Sequence, residues 1–301
     1  MLNLDPAHLA TLAAIHRRGS FEGAAAALGL TPSAVSQRIK ALEERMGCLL
    51  VRRAVPCTAT AAGLRLIRHH DDLSALESAL AADLRIGNAG PVTVRLAVNA
   101  DSLATWVVPA LAQVEGVLFD LVIDDQAYSQ DWLRRGEVAA AITSHPGPLQ
   151  GCDTLALGAL RYHATASPGF VARWLGLGVT PATMAQAPAL VFNDKDTLQA
   201  DWLARVLGEV PGFPAHRIAS AQGFVDAARA GLGWGMNPAA LVAGHLAAGQ
   251  LVELVPGAVL DVALHWQFAR LSAPVLAPVT QALRQAAAGA LVQPGGCPPR
   301  P

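Results

Sequence analysis

Residues 20–43 read Ser20-Phe21-Glu22-Gly23-Ala24-Ala25-Ala26-Ala27-Leu28-Gly29-Leu30-Thr31-Pro32-Ser33-Ala34-Val35-Ser36-Gln37-Arg38-Ile39-Lys40-Ala41-Leu42-Glu43, and they decide the fold of the amino-terminal end. They spell two helices joined by a tight turn. Ser20 can accept a bond from an orphaned first-turn N–H, and Gly29 supplies the positive φ on which a helix ends. Thr31 caps the second helix, with Pro32 in its first turn, where a missing N–H leaves no bond unmade. Val35, Ile39, Leu42 and Met46 recur at helical spacing and predict a buried face. Ser33, Ser36, Gln37 and Lys40 then point outward, a set that suits hydrogen bonding to base edges, with Arg38 and Lys40 available for phosphates or guanine. An ordinary amphipathic helix with a solvated polar face has the same periodicity.

Working outward, Asp5-Pro6 predicts a cap and first-turn proline opening an earlier helix, whose Leu9, Leu12, Ala13 and His16 can pack on the next two. After Gly47, the apolar run Leu49-Leu50-Val51 ends in Arg52-Arg53. Pro56 breaks it and Thr58-Ala59-Thr60 resumes, a pattern for a two-stranded wing whose arginines lie against phosphate. From about Thr60 to Gly87 no proline occurs, and Leu66, Leu73 and Leu80 are spaced by a heptad, which predicts a long helix with a self-associating seam. His69-His70-Asp71-Asp72 within it are consecutive and so do not share a helix face, which argues against a metal site.

The residues from Phe21 to Lys40, with Leu42-Glu43 in register, resemble the DNA-binding end of LysR-type transcriptional regulators. Ser33 to Lys40, followed by Leu50-Val51-Arg52-Arg53 and Pro56 to Thr60, is similar to the LysG/ArgP branch, whose members respond to lysine or arginine. The resemblance implies a winged helix-turn-helix over residues 1–59, a linker or dimerisation helix over 60–88 and an effector-binding domain over 91–292. It implies DNA contacts from Thr31, Ser33, Ser36, Gln37, Arg38, Lys40, Arg52 and Arg53. Partners would be double-stranded DNA, a basic amino acid, RNA polymerase and further copies of the chain, as a homodimer or homotetramer, with no cofactor, metal or membrane.

The texture changes after Gly87-Asn88-Ala89-Gly90-Pro91. Strand patterns at Val92–Val98, Val117–Ile123 and Val138–Thr143 alternate with helix patterns from Asp101 and Ser129, which predicts a parallel sheet covered on both faces. The alternation restarts at Arg161, and Leu260–Phe268 is expected to return to the first lobe before a last helix from Val275. The expected architecture is two α/β lobes, about 91–160 with 267–292 and about 161–266, resembling periplasmic solute-binding proteins. The tail 293–301, rich in Pro and Gly, is expected to be disordered.

In open α/β sheets a ligand lies off the carboxyl ends of strands, against helix starts. That rule selects Asn99, Asp101, Ser102, Asp124, Asp125, Thr143, Ser144, Phe192, Asp194 and Ser220. The helix start at Ser102 and the hydroxyls of Thr143 and Ser144 suit a carboxylate, and Asp124, Asp125 or Asp194 could pair with cationic ends. Asn99 to Trp106, Asp124-Asp125-Gln126, Ala228 to Met236 and His265-Trp266-Gln267 also resemble the LysG branch, whose sequences usually carry Glu where Asp124 stands.

The chain has 301 residues, an apolar fraction of 52% and charged residues at 15%, the profile of a globular protein with a substantial core. Its net charge of −1 hides an asymmetry: nine Lys/Arg face four Asp/Glu in residues 1–70, against thirteen and nineteen in the remainder. A basic end beside an acidic remainder suits a nucleic-acid module joined to a ligand module. Cys48, Cys57, Cys152 and Cys297 form no C-x-x-C pair. No G-x-S-x-G, H-E-x-x-H or P-loop motif occurs, which argues against an enzyme. A chain without a secretion pattern or a run of about 18 apolar residues is expected to be cytoplasmic. A solute-binding protein would leave the basic end and long linker unexplained.

Overall fold

The computed structural model describes residues 4–83, 92–124, 129–147 and 149–293. Three helices open the chain: α1 (Pro6–Arg18), α2 (Phe21–Leu28) and α3 (Pro32–Met46). Each is bounded by a side-chain cap and a left-handed glycine. Asp5 accepts from the Ala7 N–H, Ser20 from Gly23 and Thr31 from Ala34. Gly19, Gly29 and Gly47 close them at φ of 70, 63 and 66°, where any residue with a Cβ is strained. Leu9, Leu12, Ile15, Val35, Ile39 and Leu42 are buried in one cluster, and burying each contributes about 1.5–3 kcal/mol. Strands β1 (Val51–Arg52) and β2 (Thr58–Ala59) pair antiparallel as a small wing.

Helix α4 (Ala61–Asp83) follows. Its first turns belong to the core just described: Leu66 and Ile67 are buried in it, so Leu66 is not free for the seam expected there. Leu73, Leu76 and Leu80 are exposed. Leu84, the Gly87–Pro91 break and the tail 294–301 lie outside the described residues.

Beyond it, β3 (Val92–Val98) leads through α5 (Ala100–Ser102), a π turn at Leu103–Val107 and α6 (Val108–Leu111) to β4 (Val117–Ile123), α7 (Ser129–Arg135) and β5 (Ala140–Thr143). Strand β6 (Cys152–Ala166) is long and begins nine residues before the restart expected at Arg161. The second lobe adds α8 (Pro168–Trp174), α9 (Pro181–Met184), β7 (Ala189–Val191), α10 (Leu198–Leu207), β8 (Ala215–Arg217), α11 (Ala221–Arg229), β9 (Gly235–Pro238), α12 (Ala239–Ala247) and β10 (Val252–Glu253). Strand β11 (Val259–Ala269) and helix α13 (Ala273–Ala290) return to the first.

The parallel pairing expected of the first three strands is observed, and antiparallel strands extend the same sheet. β3 pairs parallel with β4 and β5, but β11 runs antiparallel to both β5 and β6, so one mixed sheet extends in the order β10-β6-β11-β5-β3-β4, with β9 also on β6. A chain that must cross between two lobes and come back supplies two antiparallel strands, and here they bond to each other along their length. The bond pattern shifts at Leu264/His265, opposite Gly158 at φ 125°. Pairs β7 and β8 stand apart as a two-stranded parallel sheet. Close packing accounts for the glycines of residues 231–235: a Cβ on Gly235 would lie 2.4 Å from the Phe224 ring, and one on Gly233 2.9 Å from the Pro188 carbonyl.

Candidate functional site

Two regions collect the residues singled out in the sequence. On α3, Ser33, Gln37 and Lys40 are exposed and Ser36 is half-buried, in one row on the face opposite Val35 and Ile39. Thr31 is committed to its cap and shares a hydroxyl contact of 3.0 Å with Ser33. Arg38 is half-buried, and its Nη1 lies 3.4 Å from the Thr11 hydroxyl of α1, because position 38 borders the Val35–Leu42 face on the helix wheel. Glu43 accepts from the Leu50 and Val51 N–H groups at 2.8 and 3.3 Å, which ties the wing to α3. Arg52 is exposed on β1, and the Arg53 guanidinium lies 5.2 Å from the Phe21 ring centre, a stacking contact that holds it beside the start of α2.

The second region is a cleft between the lobes. One side supplies Asn99 and Asp101 from the start of α5 and Asp124 from the end of β4. The other supplies Phe192, Asp196, Leu198, the α11 start at Ala221, Phe224 and the β9 residues Met236, Asn237 and Pro238. Tyr162 donates its hydroxyl to Asp101 at 2.8 Å. Asp124 accepts from the Trp132 indole at 2.8 Å and from Lys195 Nζ at 3.3 Å. The Asp196 carboxylate is saturated locally, accepting from the Phe192 and Leu198 N–H groups and from Gln199 Nε2. Asn237 is fully buried; its amide donates to Thr165 at 3.0 Å while its Oδ1 has no partner. An unpaired buried carbonyl oxygen is what a ligand ammonium seeks.

Of the selected residues, Asn99, Asp101, Asp124 and Phe192 therefore meet at one cleft, and others do not line it. Thr143 is fully buried in β5 and accepts from the His145 N–H; Ser144 is half-buried beyond it. Ser102 lies buried inside its helix with an unpartnered hydroxyl. Asp194 points away, paired with Arg217 at 2.6 Å and exposed. Ser220 caps α11 by accepting from Gly223, so its hydroxyl is used, and the next residue, Ala221, lines the cleft. Asp125 lies outside the described residues.

Residues 6–64 match the family described as bacterial regulatory helix-turn-helix protein, lysR family, and residues 89–291 match the LysR substrate binding domain. The chain belongs to the LysR family of transcriptional regulators. It is 43% identical to the transcriptional regulator ArgP of Pseudomonas aeruginosa over 98% of this chain and all of that one. The crystal structure of ArgP from Mycobacterium tuberculosis superposes with a TM-score of 0.82 at 41% identity, covering 97% of this chain and all of that one. Full-length LysG from Corynebacterium glutamicum with bound effector Arg superposes with a TM-score of 0.69 at 37% identity and the same coverage. These relatives place the LysR regulator on the ArgP/LysG branch, whose members regulate transcription and are not enzymes.

The same LysR scaffold shows which cleft residues sequence reasoning missed. Asn237 lies inside β9 rather than beyond its carboxyl end, so the carboxyl-end rule did not select it. Asp196 sits two residues beyond the acid chosen, and Lys195 and Tyr162 carried no local signal. Between the DNA-binding end and the first lobe lies a second pocket, walled by His16, Arg17, Arg68, Asp71, Asp72 and Glu137 among others. There Arg17 pairs with Asp71 at 2.6 Å, and Ser272 donates to Asp72 at 3.2 Å. Arg68 packs so closely that a Cβ on Gly136, at φ 72°, would meet its Cδ at 2.8 Å. Burial, with Arg95 nearby, lowers the pKa of His16, whose Nδ1 accepts from the Ala59 N–H. Burial likewise raises the Asp72 carboxyl, with Arg68 opposing. Among the described residues no helix is long and apolar enough to cross a membrane, and no group of three His, Cys, Asp or Glu is placed to hold a metal.

Proposed function

We propose that this regulator takes a basic amino acid, lysine or arginine, in the inter-lobe cleft and converts its presence into altered engagement of DNA. The observation that carries the reading is the placement of Asp101 and Asp124 in one cleft with the start of α11 opposite them. An amino acid with a cationic side chain needs an acid at each cationic end and a positive site for its carboxylate. Helix starts supply the last through their N–H groups and dipole. Asp124 suits the side-chain cation, Asp101 and the Asn237 Oδ1 the α-ammonium, and the N–H groups beyond Ser220 the carboxylate. The bound arginine named for the Corynebacterium glutamicum LysG structure supports the same class of ligand.

On the DNA side, Ser33, Ser36, Gln37 and Lys40 read bases and the arginines of the wing grip the backbone of a pseudo-palindromic site. The exposed Leu73, Leu76 and Leu80 on α4 suit pairing of two copies, so that two α3 helices meet two half-sites. Pairing of effector domains would extend the dimer to a tetramer. The regulated gene is taken to encode an exporter of lysine or arginine, with RNA polymerase as the protein partner. Calorimetric titration with lysine, arginine, histidine and leucine tests the ligand. Selective binding of the basic set supports the reading, and equal or absent response to all four contradicts it.

A further inference from the structure

We infer that Lys195 is a built-in stand-in for the cationic end of the effector, holding Asp124 until a ligand displaces it; this rests on the cleft reading above. Asp124 ends β4 in the first lobe, and Lys195 lies in the loop after β7 in the second, so their 3.3 Å contact bridges the cleft. The loop that carries Lys195 is shaped to deliver it. Asn193 Oδ1 accepts from the Lys195 N–H at 2.8 Å, and Asp196 accepts from Phe192 at 2.8 Å, closing a turn on either side. Trp132 holds the other oxygen of the Asp124 carboxylate at 2.8 Å, which fixes Oδ1 toward the lysine.

The chemistry matches the proposed ligand. An alkylammonium on a flexible stem, tethered at high effective concentration, meets the carboxylate assigned to a ligand alkylammonium or guanidinium. The contact is also displaceable. At 3.3 Å it is longer than a strong charge-assisted bond, and the lysine side chain is 45% exposed. An arginine ligand brings a planar fork able to bond both carboxylate oxygens, where the resident lysine offers one ammonium. Lys195 thus sets an affinity threshold for the effector and ties the two lobes together in its absence.

Replacing Lys195 with Met keeps the stem and removes the competing charge. The expected result is a two- to fivefold tightening for lysine and arginine by calorimetry, the range a partly exposed ion pair commands. Lys195→Arg retains the competitor with a stronger grip and binds the effector no more tightly than the parent. Arg217→Met serves as the charge control, because Arg217 pairs with Asp194 away from the cleft. Unchanged or weaker binding in Lys195→Met overturns the proposal while leaving the cleft reading in place. An equal gain in Arg217→Met assigns the effect to overall charge and also overturns it. If neither the parent nor Lys195→Met binds any basic amino acid, the cleft reading itself fails and the proposal falls with it.

Discussion

Replacing Gln267 with Leu should destabilise the effector domain by about 3 kcal/mol, within a range of roughly 2–5. Gln267 is fully buried on β11, and its Nε2 donates to the His145 and Gly147 carbonyls at 2.9 and 2.8 Å. Its Oε1 accepts from Gln130 Nε2 at 2.9 Å. Leucine fills a similar volume and removes all three bonds. A neutral buried bond contributes about 1 kcal/mol net, and more when its partner is stranded away from water. The Gly147 carbonyl is spared stranding, because Gln130 also donates to it at 3.2 Å, which keeps the total near the middle of the range. For a domain of roughly 150–250 residues each kcal/mol moves the midpoint by about 2–4 °C, so a fall of about 6–12 °C is expected. Circular dichroism melting at matched concentration measures it. A midpoint within about 2 °C of the parent would refute the reasoning that this amide ties the loop after β5 to the central sheet.

Gln37→Ala should abolish preference for a selected operator while keeping non-specific affinity, whereas Arg52→Ala should weaken binding to all sequences alike and flatten the salt dependence by about one unit of slope; fluorescence anisotropy across a salt series separates them. Asp124→Ala should cut affinity for lysine and arginine by about tenfold or more, with DNA binding in the absence of ligand unchanged, by calorimetry and anisotropy on one preparation. Acidification should destabilise the protein. Burial lowers the pKa of His16, His70 and His265, in the last case against a backbone bond at Thr143 that raises it. The unfolded chain then binds protons more readily, so the stability from keeping these imidazoles neutral is full above about pH 6.5 and is lost as pH falls toward their depressed folded values. Asp72, raised by burial, acts in the opposite sense, its contribution present at low pH and lost as pH rises through its folded value. A melting temperature that falls between about pH 7.5 and 5.5, with a shallower fall in His265→Gln, meets the expectation; a flat profile refutes it.

What could be read from the residues alone follows the range of the forces involved. The helix-turn-helix was legible because its boundaries are local: Ser20, Thr31, Gly29 and Gly47 act on their own turns. The wing was legible for the same reason, its two strands flanking Pro56. The contact of Arg38 with Thr11 of another helix was not legible, nor was the burial of Leu66, because the first turns of α4 pack on the DNA-binding core. In the effector domain the carboxyl-end rule selected Asn99, Asp101 and Asp124, which follow β3 and β4 closely and line one cleft. It chose Asp194 over Asp196, since only the folded loop reveals that Arg217 takes the first and backbone N–H groups take the second. The crossing of β6 and β11 was partly hidden, because Cys152–Leu160 alternates too weakly to announce a strand.

If a basic amino acid acts through the cleft, its occupancy changes how α3 and the wing hold DNA. The direct test is a footprint on a site enriched from random DNA by the purified protein, with and without saturating lysine or arginine, for the parent and for Asp124→Ala. The footprint or its affinity should change with the amino acid in the parent and stay fixed in Asp124→Ala. A parent footprint unmoved by both amino acids would contradict it.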